Sequence, residues 1–165
     1  MDQTSPQNEI NPDRLIEITL DQKSLGRVHA NIEHEREVAI FDILDGNAFA
    51  IEGLKQGPYK LNLSVIEDRL VLAIVNESDV EVLQHHIALT PLKRIMKDYF
   101  LVCESYYEAV RTAPPARIQA IDVSRRALHD EGSQVLREKL ANQIIVDDDT
   151  ARRLFTLVCS LHWKG

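Results

Sequence analysis

The chain has 165 residues, 44% of them apolar and 27% charged, which suits one soluble domain able to bury a sizeable core. Its 26 acidic against 19 basic side chains leave a net charge of −7. That excludes broad, non-specific binding to nucleic acid or to an anionic membrane, while a local basic patch stays open.

Residues 1–12 are polar, hold two prolines and show no periodicity, so they read as a flexible tail. Residues 13–165 read as a single α+β domain, sheet-rich over 13–89 and helical over 90–165. The start has no basic segment followed by an apolar core, and no apolar run approaches the ~20 residues that span a bilayer. A cytoplasmic protein with no membrane contact is expected. Cys103 and Cys159 both fall in apolar helical patterns and read as two buried, reduced thiols.

Alternation over residues 14–20 predicts a half-buried strand, followed by a polar connection over 21–30. Asn31 is expected to cap a helix over 31–45, with Glu33 and Glu35 near its positive end. Val38, Ala39, Ile40, Phe41, Ile43 and Leu44 would bury its second half. Residues 47–51 suggest a short strand and 53–58 a turn. Tyr59, Leu61, Leu63 and Val65 then alternate with Lys60, Asn62 and Ser64, the clearest strand in the chain. A tight turn at Glu67 and Asp68 leads into residues 69–75, apolar on both faces. Such a strand should be central and covered on both sides, by helices or by a second subunit. Residues 80–89 add another strand, and the short connections favour an antiparallel meander.

Residues 90–111 predict one long helix, with Thr90 as cap and Pro91 at its first position. Leu92, Met96, Tyr99, Cys103, Tyr106 and Val110 form a stripe that Ile95, Phe100, Leu101, Val102 and Tyr107 widen, so a core helix covered on most sides is expected. The prolines at 114 and 115 end it, and Pro115 can open the next helix, with Ile118, Ile121 and Leu128 on its inner stripe. Gly132 is expected to break or bend that helix, and Ser133 to cap a last segment. Residues 143–146 look extended. Asp147, Asp148 and Asp149 precede a final helix that buries Leu154, Phe155, Leu157, Val158, Leu161 and Trp163. The whole predicts an α+β fold: an antiparallel sheet of about five strands packed with four to five helices.

Fingerprints of catalysis and nucleotide binding are missing: no Walker-type loop, dinucleotide-binding glycine pattern, CxxC, HExxH or nucleophile elbow. No metal and no cofactor is expected. His85 and His86 would point to opposite faces of a strand, so they cannot grip one ion, and a hydrogen-bonded structural histidine is the simpler reading. His34 and Glu37 share a helix face that could serve a metal or proton transfer, yet the same pattern describes a solvated first turn. Tyr99, Tyr106 and Tyr107 fit core packing better than a stacking platform. Cys103 sits among apolar neighbours, a poor setting for a reactive thiol.

Arg125, Arg126 and His129 are the foremost ligand candidates. Arg125 and His129 share a face and could grip a phosphate or carboxylate, since guanidinium matches such anions bidentately. Arg126 with Asp130 would be an ordinary surface pair. Lys93 and Arg94 form a second basic doublet and Arg152 and Arg153 a third. Brought together, the three would make an anion or RNA-backbone patch.

Five stretches carry a resemblance: EHEREVAIFDIL, PYKLNLSVIEDRLVL, LTPLKRIMKDYFLVCESYYEAV, IDVSRRALHDEGS and VDDDTARRLFTLVCSLHWKG. Over residues 14–165 the chain resembles an uncharacterised family of small alphaproteobacterial proteins known by a placeholder name. The resemblance implies a bacterial, cytoplasmic protein and carries over no activity, cofactor or catalytic residue.

Three readings follow. The favoured one is a non-enzymatic interaction or regulatory protein that binds a protein partner or itself. An alternative is a small enzyme, a hydrolase or transferase acting on an anionic substrate near Arg125 and His129. The third is an RNA- or ribosome-associated protein using the basic doublets, although nucleic acid is not the expected partner of so acidic a chain.

Overall fold

Tyr59 to Asn76 fold as the hairpin their alternation predicts. The strands Tyr59–Ile66 and Arg69–Asn76 are joined by Glu67 and Asp68, both in the left-handed region at φ of 50° and 61°, the backbone twist that two-residue hairpin loops require. The computed structural model describes residues 11–26 and 28–162. The first ten residues of the expected tail, and the expected burial of Trp163, lie outside the described residues.

In chain order the elements are β1 (Leu15–Leu20), α1 (Gln22–Leu25), α2 (Ala30–Asp45), β2 (Phe49–Ile51), β3 (Tyr59–Ile66), β4 (Arg69–Asn76) and β5 (Glu81–Ala88). They continue with α3 (Thr90–Thr112), α4 (Pro115–Leu140), β6 (Ile144–Val146) and α5 (Asp148–His162). The fold is α+β. A four-stranded sheet runs β1-β3-β4-β5, and β2 pairs with β6 in a separate two-stranded sheet. The meander β3-β4-β5 is antiparallel as expected, but β1 joins it parallel to β3. A crossover through α2 separates β1 from β3, and such a connection suits a parallel neighbour rather than an antiparallel one.

β4 lies inside the sheet. Leu70, Leu72 and Ile74 face the helices and are almost fully buried. On its other face Val71 is covered, between Ser64 and His86 in register, whereas Ala73 and Val75 are half-buried. The expected cover on both faces is therefore complete on one and partial on the other. One cluster of buried apolar side chains joins the sheet to α3, α4 and α5, including Leu61, Leu92, Met96, Leu136, Phe155 and Val158.

The helices depart from expectation in several places. Asp21 caps α1, a one-turn helix too short to leave a periodic signal, through Ser24 N at 3.3 Å. His29 and Leu89 take the cap positions expected of Asn31 and Thr90, and neither makes a side-chain cap bond. Among its apolar residues α2 buries Ile32, Ala39 and Ile43 and leaves Val38 and Phe41 exposed. It also buries Arg36, whose Nε donates to the Ser160 carbonyl at 3.2 Å, a cation at the C-terminal end of α5. Helix α3 is not the covered core element its composition implies: it buries Leu92, Met96 and Ala109 and leaves Leu101, Tyr107 and Val110 in solvent.

The largest correction concerns Gly132. Helix α4 runs unbroken from Pro115 to Leu140 through it. A Cβ on Gly132 would stand 2.1 Å from Cζ of Phe155, so the glycine serves close packing of α4 on α5. Ser133 caps nothing; its hydroxyl donates to the His129 carbonyl one turn back, at 2.7 Å.

Candidate functional site

Helices α4 and α5 are antiparallel, as their cross-pairs show: Arg137 meets Asp148, Asp130 meets Arg152, and His129 meets Thr156. The Gly132 to Phe155 contact sets their close approach. A second consequence is that side chains one turn apart on each helix, Arg125 with His129 and Arg152 with Thr156, face a common space. That space is a cleft of about 390 Å³, within the range of small-ligand sites. Arg125, Arg126, Arg152 and Arg153 all line it, with His129 and Tyr99.

Each guanidinium is anchored. Arg125 donates through Nε to Asp122 at 3.1 Å and lies 4.2 Å from the centre of the Tyr106 ring, a cation–π contact. The Nε of Arg126 reaches the other Asp122 oxygen at 3.0 Å. Arg152 pairs with Asp130, and Arg153 donates to the Gly46 carbonyl at 2.6 Å, at the C-terminal end of α2. Asp122 is held below the usual carboxylate range, first by its hydrogen bond from Arg125 and then by the charge of Arg126. Among the described residues the four guanidinium groups pair with two carboxylates, Asp122 and Asp130, which leaves two positive charges in excess there. A guanidinium carries five N–H donors, and these anchors use one or two of them, so the groups are oriented with donors to spare.

His129 forms part of the inner wall. Its ring packs edge-on against Tyr99 and Phe155, at centroid distances of 5.4 and 5.1 Å. Burial, then the charges of Arg152 and Arg125, bring its pKa down to about 4, so the ring is neutral at pH 7. The Thr156 hydroxyl donates to the Arg152 carbonyl at 3.1 Å, which leaves its oxygen to accept from the ring. Nε2 of the ring lies 2.8 Å from Thr156 Oγ1 and Nδ1 lies 3.4 Å from Ser133 Oγ, whose hydroxyl is likewise committed to a carbonyl, so either ring nitrogen can carry the single proton.

Of the three basic doublets, two meet here and the third does not. Lys93 pairs with Asp68 at 2.7 Å and lines a different cavity beside Leu89 and His162, and Arg94 does not line the arginine cleft. The convergence of Arg152 and Arg153 with Arg125 and Arg126 left no local trace in the sequence, because it depends on how α5 packs. The other candidates separate. His34 and Glu37 line different cavities. His85 is buried, with Nδ1 at the Gln143 side-chain amide and Nε2 at 3.1 Å from the Lys139 carbonyl, while His86 is exposed. Cys103 is only half-buried; burial raises its thiol pKa and a hydrogen bond with Tyr99 opposes the rise. Among the described residues no three His, Cys, Asp or Glu side chains group to hold a metal ion, and no helix is long and apolar enough to cross a membrane.

The family profile described as "Uncharacterised protein family (UPF0262)" matches residues 12–164. A UPF0262 protein of Azorhizobium caulinodans is 53% identical over 167 residues, covering 100% of both chains. One from Rhizobium leguminosarum is 54% identical over 92% of this chain and 96% of its own length. A third, from Rhodopseudomonas palustris, is 48% identical over 98% of this chain and 99% of its own. No solved structure matches. The chain belongs to the UPF0262 family of alphaproteobacterial proteins, as its long motifs indicated.

Proposed function

We propose that this UPF0262 protein is a non-enzymatic, cytoplasmic binding protein whose ligand is a small molecule bearing a phosphate or carboxylate group, held between α4 and α5. One observation carries the reading: Arg125 and Arg126 of α4 and Arg152 and Arg153 of α5 line one cleft. Guanidinium groups anchored in advance bind an anion with little further ordering, which favours affinity. The neutral His129 supplies an uncharged wall. The unpaired thiols Cys103 and Cys159 suit a reducing compartment.

Thermal-shift titration with phosphate, pyrophosphate and citrate tests the proposal. A saturable rise in Tm with at least one of them is expected, and it should vanish in Arg152→Gln/Arg153→Gln. Sodium chloride at equal ionic strength should give no such rise.

The 2.8 Å contact of His129 with Thr156 favours a second, weaker reading as a hydrolase or transferase of an anionic substrate. Catalysis would require the imidazole proton on Nδ1, so that Nε2 could accept from the hydroxyl. Thr156→Val separates the readings: it keeps ligand binding in both and abolishes turnover only in the second.

A further inference from the structure

Helices α2 and α3 stand apart over α5 and leave a groove of about 520 Å³ between them. Val38 and Ala39 form one wall, Phe100, Cys103 and Tyr107 the other, and Cys159 part of the floor. The apolar surface continues beyond the groove on both helices. Phe41 follows Val38 by one turn and is 68% exposed; Tyr107 is 62% exposed, and Val110 follows it at 53%. Exposed aromatic and aliphatic side chains repeating at three- and four-residue spacing along two facing helices form the surface that accepts a third helix. The α2 wall runs from Asn31 to Asp42, about 16 Å at the helical rise, room for three turns.

The charges choose among occupants. Glu35 and Asp42 stand on the α2 wall, with one imidazole, His34. On α3, Glu104 lies near enough to Cys103 to act with Glu35 in raising its thiol pKa. A second copy of this chain carries a net charge of −7, so it would bring like charge to an acidic rim. We infer that the groove between α2 and α3 receives an amphipathic helix of a partner protein, apolar along one stripe and flanked by Lys or Arg. Apolar side chains would seat between Val38 and Tyr107, and the basic flanks would meet Glu35 and Asp42. This inference stands apart from the arginine cleft: either site can fail alone.

Fluorescence anisotropy with two synthetic helical peptides tests it, both with the same leucine stripe, one flanked by Lys and one by Glu. The Lys peptide is expected to bind the full chain saturably at one per chain, and the Glu peptide not to bind. Phe41→Ser/Tyr107→Ser should weaken the Lys peptide at least ten-fold, and so should Glu35→Lys/Asp42→Lys. Arg152→Gln/Arg153→Gln should leave it unchanged. The substituted groove positions are exposed, and an unaltered circular dichroism spectrum will show that the fold persists. Equal binding of both peptides, or binding indifferent to the groove substitutions, overturns the inference. So does a wild-type dimer in light scattering that Phe41→Ser/Tyr107→Ser converts to monomer, since the occupant would then be a second copy.

Discussion

Gly132 lies so close to Phe155 that a β-carbon on it would overlap the ring, standing 2.1 Å from Cζ. Phe155 is fully buried and cannot swing away. Alanine at this position would gain about 1 kcal/mol of helix propensity, but overpacking a filled core costs roughly 1–3 kcal/mol. Gly132→Ala is therefore expected to lower stability in urea unfolding. By prising α4 from α5 it should also weaken anion binding, although the residue does not line the cleft.

The doublets make unequal contributions. Arg152→Gln/Arg153→Gln should weaken the anionic ligand at least ten-fold, about 1.4 kcal/mol, and flatten the dependence of affinity on salt. Lys93→Gln/Arg94→Gln should leave both unchanged, because the Lys93–Asp68 pair stands at another cavity. Titration calorimetry at two salt concentrations checks this. Equal losses from both pairs would mean a general field effect rather than a site.

His129 makes stability depend on pH in a defined window. Its pKa is about 4 in the folded chain and ~6.5 when unfolded. Between those values the unfolded chain binds more protons, so stability rises with pH there and is lost as pH falls from ~6.5 toward 4. Its exposed edge and solvent screening reduce the size of the effect. Tm measured from pH 7 to pH 4.5 should fall more steeply in the wild type than in His129→Gln.

His85 is a control of the opposite kind. Its Nε2 reaches the Lys139 carbonyl and its Nδ1 the Gln143 amide, tying β5 to the end of α4. His85→Leu leaves these polar groups unsatisfied and is expected to cost roughly 1–3 kcal/mol. Anion affinity, measured below the lowered Tm, should not change.

What could be read from the chain in advance follows the range of the interactions. Residues 59–76 declared their hairpin because alternation and a tight turn are local. The same alternation puts His85 and His86 on opposite faces, which the structure finds buried and exposed respectively. The parallel pairing of β1 with β3 was hidden, since nothing in residues 14–20 records which strand lies beside them. Gly132 carried a local signal that misled: glycine inside a helical pattern marks a break or a close approach, and only the position of Phe155 decides between them. Helix α3 misled through composition, because Leu101, Tyr107 and Val110 have the character of core residues and lie on a solvent face. For the site, Arg125, Arg126 and His129 were legible as neighbours on one helix. Their meeting with Arg152 and Arg153 was not, because a helix packing 27 residues downstream, as in the His129 to Thr156 contact, brings the two sets together.

Isothermal titration of pyrophosphate into the wild type and into Arg125→Gln/Arg152→Gln tests the arginine cleft most directly, since each substitution removes one cation from a different helix. The cleft predicts a saturable signal at one ligand per chain in the wild type and its loss in the double variant, with both proteins folded by circular dichroism. Binding of equal strength in the two proteins, or no binding by either, would contradict it.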